Sequence, residues 1–178
     1  VRAQRHTDNL ALVEAISMDE SLIVALAAPR LETGRTLLIA GLGVRYTFEA
    51  NQGIPEQWQR FAPYAGNIPG QVGRTAYGVC CNSDGTGSFE YVAGVEVASF
   101  ADIPSELTRV RIAAQRYAVF SHRAHISKLR GTVYTIWNQW LPASGHTIAD
   151  APDFERYGED FDAQTGLGGV EIWLPLSA

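Results

Sequence analysis

Two stretches of this chain are variants of one another. WQRFAPYAG at residues 58–66 lines up without a gap on WNQWLPASG at 137–145, 79 positions later. A tryptophan, an amide residue, an aromatic, a proline and a glycine recur in register. AYG at 76–78 then matches RYG at 156–158, and AGVEV at 93–97 matches GGVEI at 168–172. Three matches in one order at similar offsets mark an internal duplication, which restricts the fold to two copies of a single unit.

The elements around the matches read alike. TLLIAGLGVRYTFE is apolar and β-branched, as a strand is, with glycines that allow a bend. IPEQWQRFAPYAG reads as a short helix, with Pro55 near its start and Gly66 past its end. TAYGVCCNSDGTGSFEYVAGVEVASF reads as a hairpin turning at NSDGTG. In the second series TRVRIAAQRYAVFSHRA reads as one strand. HISKLRGTVYTIWNQWLPASG reads as an amphipathic helix, and FERYGEDFDAQTGLGGVEIWLPL as a strand, a loop and a closing strand. Each half is thus strand–helix–strand–strand, over about residues 36–98 and 107–176. The expected architecture is an α+β pseudo-dimer, an antiparallel sheet with both helices on one face and a ligand groove on the other.

Strand phase nominates the groove residues. In GVEIWLPL, Val170, Ile172 and Leu174 share one face, so Glu171 and Trp173 share the other. Glu96, in GVEV, is a second candidate by the duplication. A tryptophan beside a carboxylate suits a flat cation better than water. A desolvated Glu171 is expected to have a raised pKa. Tyr157 either lines the cleft or bonds to backbone, and Trp137 and Trp140 read mainly as core.

The 178 residues, 46% hydrophobic and 19% charged, suit one domain or two small halves sharing a core. A formal charge of −5 argues against this chain gripping nucleic acid alone. Residues 1–28 read as a helical extension or the remnant of a preceding domain, with apolar positions at Leu12, Ile16, Ile23 and Leu26. The chain shows no leader-like apolar core and no run near 18 apolar residues, so a cytoplasmic protein is expected. The adjacent Cys80 and Cys81 read as packing residues in a reducing compartment. His122 and His125 lack a third ligand at a useful spacing, and no phosphate loop or nucleophile motif occurs. No metal or cofactor is expected.

YAVFSHRA, TVYTIWNQWLPASG, DFERYGEDFD and the closing GVEIWLPL, with APRLETGRTLLIAGLGVRY and RTAYGVCCN in the first half, resemble the gyrase-inhibitor-like family. This is the effector-binding domain found at the end of many AraC-type and MerR-type transcription regulators. The resemblance spans about residues 29–176, and residues 29–178 are read as the effector-binding domain. It implies two tandem modules with a groove that takes cationic, lipophilic aromatic compounds. It implies a groove glutamate at Glu171 and aromatic contacts at Tyr77 and Trp58. It also implies a DNA-binding domain or partner protein in trans. Two other functions stay open at this level. One is a hydrolase of reactive cyclopropane-containing compounds, with Glu171 activating water and Tyr77 steadying the leaving group. The other is a protein-interaction module such as a gyrase inhibitor.

Overall fold

A computed structural model describes residues 20–177. Eight strands form one antiparallel sheet: β1 (Arg30–Gly34), β2 (Leu37–Thr47), β3 (Gln71–Cys81), β4 (Ser88–Val97), β5 (Thr108–Ile112), β6 (Gln115–His122), β7 (Asp153–Tyr157) and β8 (Val170–Pro175). Their order is β1-β6-β8-β7-β3-β4-β2-β5. Helix α1 (Ile54–Phe61) follows β2. The helix after β6 runs through a 3-10 turn (Ile126–Lys128), α2 (Leu129–Thr135), a π-helical segment (Ile136–Trp140) and α3 (Leu141–Ser144). The π segment lies just before Pro142, which has no N–H to offer the carbonyl of residue 138. No helix among the described residues is long and apolar enough to cross a membrane.

The strand order is a palindrome, as the duplication requires. β6-β8-β7 mirrors β2-β4-β3 about the β7–β3 seam. One strand lies outside the expected unit. RLETG forms β1, and TRVRIAAQRYAVF breaks at Ala113–Ala114 into β5 and β6. These leading strands are exchanged: β1 pairs with β6 of the other half, and β5 with β2.

That exchange decides the shape. β1 and β2 stand six places apart in the sheet, about 29 Å if it were flat. Only Arg35 and Thr36 join them, a link that spans at most about 11 Å. Ala113 and Ala114 tie β5 to β6 under the same constraint. The sheet therefore curls until its ends approach. Gly41 and Gly94 face each other on the β2–β4 ladder, and a Cβ on Gly41 would run into the backbone of β4. The pair gives the strands room to coil tightly.

The curl closes one face over itself. Ile39, Tyr77, Val79, Val92, Tyr117, Val119, Phe154 and Trp173 form a buried cluster there with no helix over them. These side chains fill the middle of the face on which the groove is expected, and a concavity of about 100 Å³ remains at its edge beside Ser121, Arg156 and Glu171. The helices cover the outer face. α1 packs over Ala93 and Val95, and the second helix over Phe120, Ile172 and Leu174.

Most of the expected N-terminal helix lies outside the described residues. Within them, Glu20–Leu22 is a single 3-10 turn and residues 23–29 are not helical. Val24 N donates to Thr135 Oγ1 at 3.0 Å, fixing this segment along α2.

Candidate functional site

The outer face at the seam carries the site. There β3 and β7 pair Ala76 with Tyr157, Gly78 with Glu155 and Cys80 with Asp153. Small residues on β3 leave room beside β7, and at Gly78 that room is taken by the Tyr91 phenol and the Glu155 carboxylate. α1 and the second helix stand on either side, presenting Trp58 and Trp137, and both line the concavity between them with Glu155 and Tyr157.

Gln57 sets the position of α1. It is fully buried, and its Nε2 donates to the carbonyls of Leu42 (2.7 Å) and Tyr91 (2.8 Å). The helix is thereby pinned across β2 and β4. The neighbouring Trp58 is then held over the seam, its Nε1 donating to Tyr91 Oη at 3.1 Å. The ring of Trp58 stands edge-on to Tyr157 at 5.1 Å.

Glu155 is the centre of this arrangement. Its Oε2 accepts from Tyr91 Oη at 2.7 Å and from Tyr157 Oη at 2.8 Å. Oε1 takes no hydrogen bond from the described residues, and none of their cationic groups lies within ion-pair range. Burial raises the Glu155 pKa above its ordinary value, against the pull of the two phenol hydrogen bonds. Burial also holds both phenols far above their usual range, so they remain donors. Gly78 makes the room. A Cβ there would collide with Tyr91 Oη and lie 2.6 Å from Glu155 Oε2.

The other two strand glutamates are already paired. Arg35 Nη2 donates to Glu96 Oε2 at 2.6 Å. Glu171 Oε1 accepts from Arg30 Nη2 at 2.8 Å, while its Oε2 accepts from Trp173 Nε1 at 3.0 Å and Arg156 Nη1 at 3.4 Å. Burial pushes the Glu171 pKa up, but the hydrogen bonds from Trp173 and Arg30 and the two arginine charges outweigh it. The pKa is lowered, opposite to the sequence expectation. Arg30 Cζ lies 5.8 Å from the centre of the Trp173 ring. A cation between Trp173 and Glu171 is thus present, and it is the protein's own arginine.

The five residues nominated from sequence divide between the two faces. Trp58 and Tyr157 meet on the outer face at Glu155. Tyr77 (4% exposed) and Trp173 (8% exposed) pack in the interior cluster, and Glu171 shares their side of the sheet. The matched YG pairs fall on opposite faces. The ladders pair Tyr77 with Arg156 across the seam, and Gly94 and Glu171 are their next neighbours outward.

Sequence reasoning missed Glu155 and Tyr91. The signal for Glu155 was the alternation in DFERY, which puts Asp153, Glu155 and Tyr157 on one side and Phe154 on the other.

Comparison with known proteins adds independent information. The model of the GyrI-like small molecule binding domain matches residues 28–177. The transcriptional regulator BrlR of Pseudomonas aeruginosa is 30% identical over 125 residues, which are 69% of this chain and 46% of that protein. The chain thus spans less than half the length of this regulator. Among solved structures, SAV2435 bound to tetraphenylphosphonium superposes with a TM-score of 0.71 at 21% identity, over 85% of this chain and 95% of that one. An integron cassette protein of Vibrio cholerae superposes at 0.63 and 24% identity, over 85% of this chain and 97% of its own.

Proposed function

Because the chain belongs to the GyrI-like small molecule binding domain family, we propose that its ligands are cationic, lipophilic aromatic molecules held in the outer-face cleft between the two helices. Glu155 supplies the charge, and Trp58, Tyr157 and Trp137 supply the aromatic walls. The observation that carries this reading is the state of Glu155. It is a partly desolvated carboxylate fixed by two tyrosines, with no cation of its own among the described residues. Such a group gains most from an incoming positive charge, and the aromatic faces beside it attract the same charge. No covalent chemistry is required. The tetraphenylphosphonium held by SAV2435 is a cation of this kind, which supports the reading. The likeness to BrlR supports a sensing role, in which DNA is contacted by a separate domain or partner.

The test is a pair of titrations. Tetraphenylphosphonium and the neutral triphenylphosphine oxide are titrated against the wild type and Glu155→Gln. The substitution weakens the cation by about 1–3 kcal/mol, the scale of a charge-assisted contact, and the neutral compound much less. Equal losses for both ligands would make Glu155 a shaping residue, and no change for either would remove it from the site.

A further inference from the structure

Resting on the helix-side site above, we propose that Asp153 is a second anionic contact in the same cleft and selects ligands that carry two cationic centres. β7 places Asp153 two residues before Glu155 on the same strand face, about 6.7 Å along the strand. The residues opposite them on β3 are Cys80, whose thiol hydrogen-bonds to Asp153, and Gly78, which makes room for the Tyr91 phenol and the Glu155 carboxylate. Asp153 and Glu155 belong to the lining of one concavity together with Trp58, Trp137 and Tyr157. Neither has an ion-pair partner among the described residues, whereas Glu96 and Glu171 each hold arginine.

Burial of Asp153 is offset only in part by hydrogen bonds from its own backbone N–H and from the Cys80 thiol on β3, while Glu155 on its own strand adds to it, with Cys81 and Tyr117 further off. None of these groups is a cation. Burial, with the Glu155 charge adding to it, pushes Asp153 up to about 7. At neutral pH the group is poised between holding a proton and meeting a cation. A monocation centred on Glu155 leaves Asp153 its proton. A ligand whose second positive centre lies one strand pleat further on displaces that proton and gains a second charged contact.

Two flat compounds of nearly one shape test the proposal: the dication methyl viologen and the monocation N-methyl-4-phenylpyridinium. Each is titrated calorimetrically at pH 8 into wild type, Asp153→Asn, Asp153→Ala and Glu155→Gln, with a thermal melt to verify folding of each variant. The wild type prefers the dication by about tenfold or more, the gain expected of one charge-assisted contact. Both Asp153 variants bring the preference to near parity, and Glu155→Gln weakens both ligands. A wild type that binds both equally overturns the role of Asp153 and leaves the site standing. A preference that survives in the Asp153 variants does the same. If neither compound nor tetraphenylphosphonium binds the wild type, the site reading falls and this inference falls with it.

Discussion

Glu155 and Glu171 are both strand glutamates beside aromatic residues, and their surroundings give them opposite characters. Glu171 receives Arg30, Arg156 and the Trp173 indole, so its charge is spent inside the protein. Glu155 receives only two neutral phenols. Asp153, next along the strand face, has no cation either, and this has a consequence for stability. Its pKa in the folded chain is about 7, against about 4 when unfolded. A group with a raised folded-state pKa contributes stability while protonated. That contribution is lost as pH rises from about 4 through about 7. Asp153→Asn removes the ionised form, so melting temperatures across a pH series rise most at pH 8, with the gain shrinking toward pH 4. A gain that is constant with pH would show that Asp153 titrates normally. Residues that stabilise a fold when neutralised are common at binding sites, where the strained charge serves the ligand.

At the scale of elements, the site depends on how closely β3, β4 and β7 approach at Gly78. Tyr91 is 1% exposed and its ring cannot swing away, so the methyl of Gly78→Ala has no room beside the phenol and the Glu155 carboxylate. This substitution costs about 1–3 kcal/mol, the usual range for overpacking, read as a lower denaturant midpoint at unchanged slope. Unchanged stability would mean that the seam is looser than described. The individual elements were legible in the sequence. An apolar, β-branched run marked β2, the NSDGTG turn marked the β3–β4 hairpin and alternation marked β8, while Pro55 and Gly66 framed α1, with Gly66 at φ +87° beyond it. β1 was not legible, because RLETG is short, mostly exposed and lacks a clear apolar alternation. The break between β5 and β6 was hidden by two alanines that interrupt neither hydrophobicity nor β character. Trp58 was nominated by the family resemblance, and Tyr157 in FERYG by one of two alternatives, lining the cleft or bonding to backbone. Glu155 was passed over because the open face was assumed to be the one without helices.

At the scale of the whole molecule, the proposed site lies on the opposite face. Which face of a sheet is open depends on its curvature, and here two-residue links set the curvature. Arg35–Thr36 and Ala113–Ala114 close the sheet so that Tyr77, Tyr117, Phe154 and Trp173 fill its interior. The larger concavity lies outside, over the seam and beside both helices, and it is the proposed ligand site. The four tryptophans report on both sides at once. Trp58 and Trp137 line the outer cleft, whereas Trp173 lies in the interior with its indole bonded to Glu171. The most direct measurement is therefore a 1H–15N spectrum of the indole N–H resonances, assigned by single Trp→Phe variants and followed as tetraphenylphosphonium is added. The outer cleft predicts that the Trp58 and Trp137 signals move while the Trp173 signal stays in place. Movement of Trp173 with Trp58 and Trp137 unchanged would put the ligand on the other face and contradict the account.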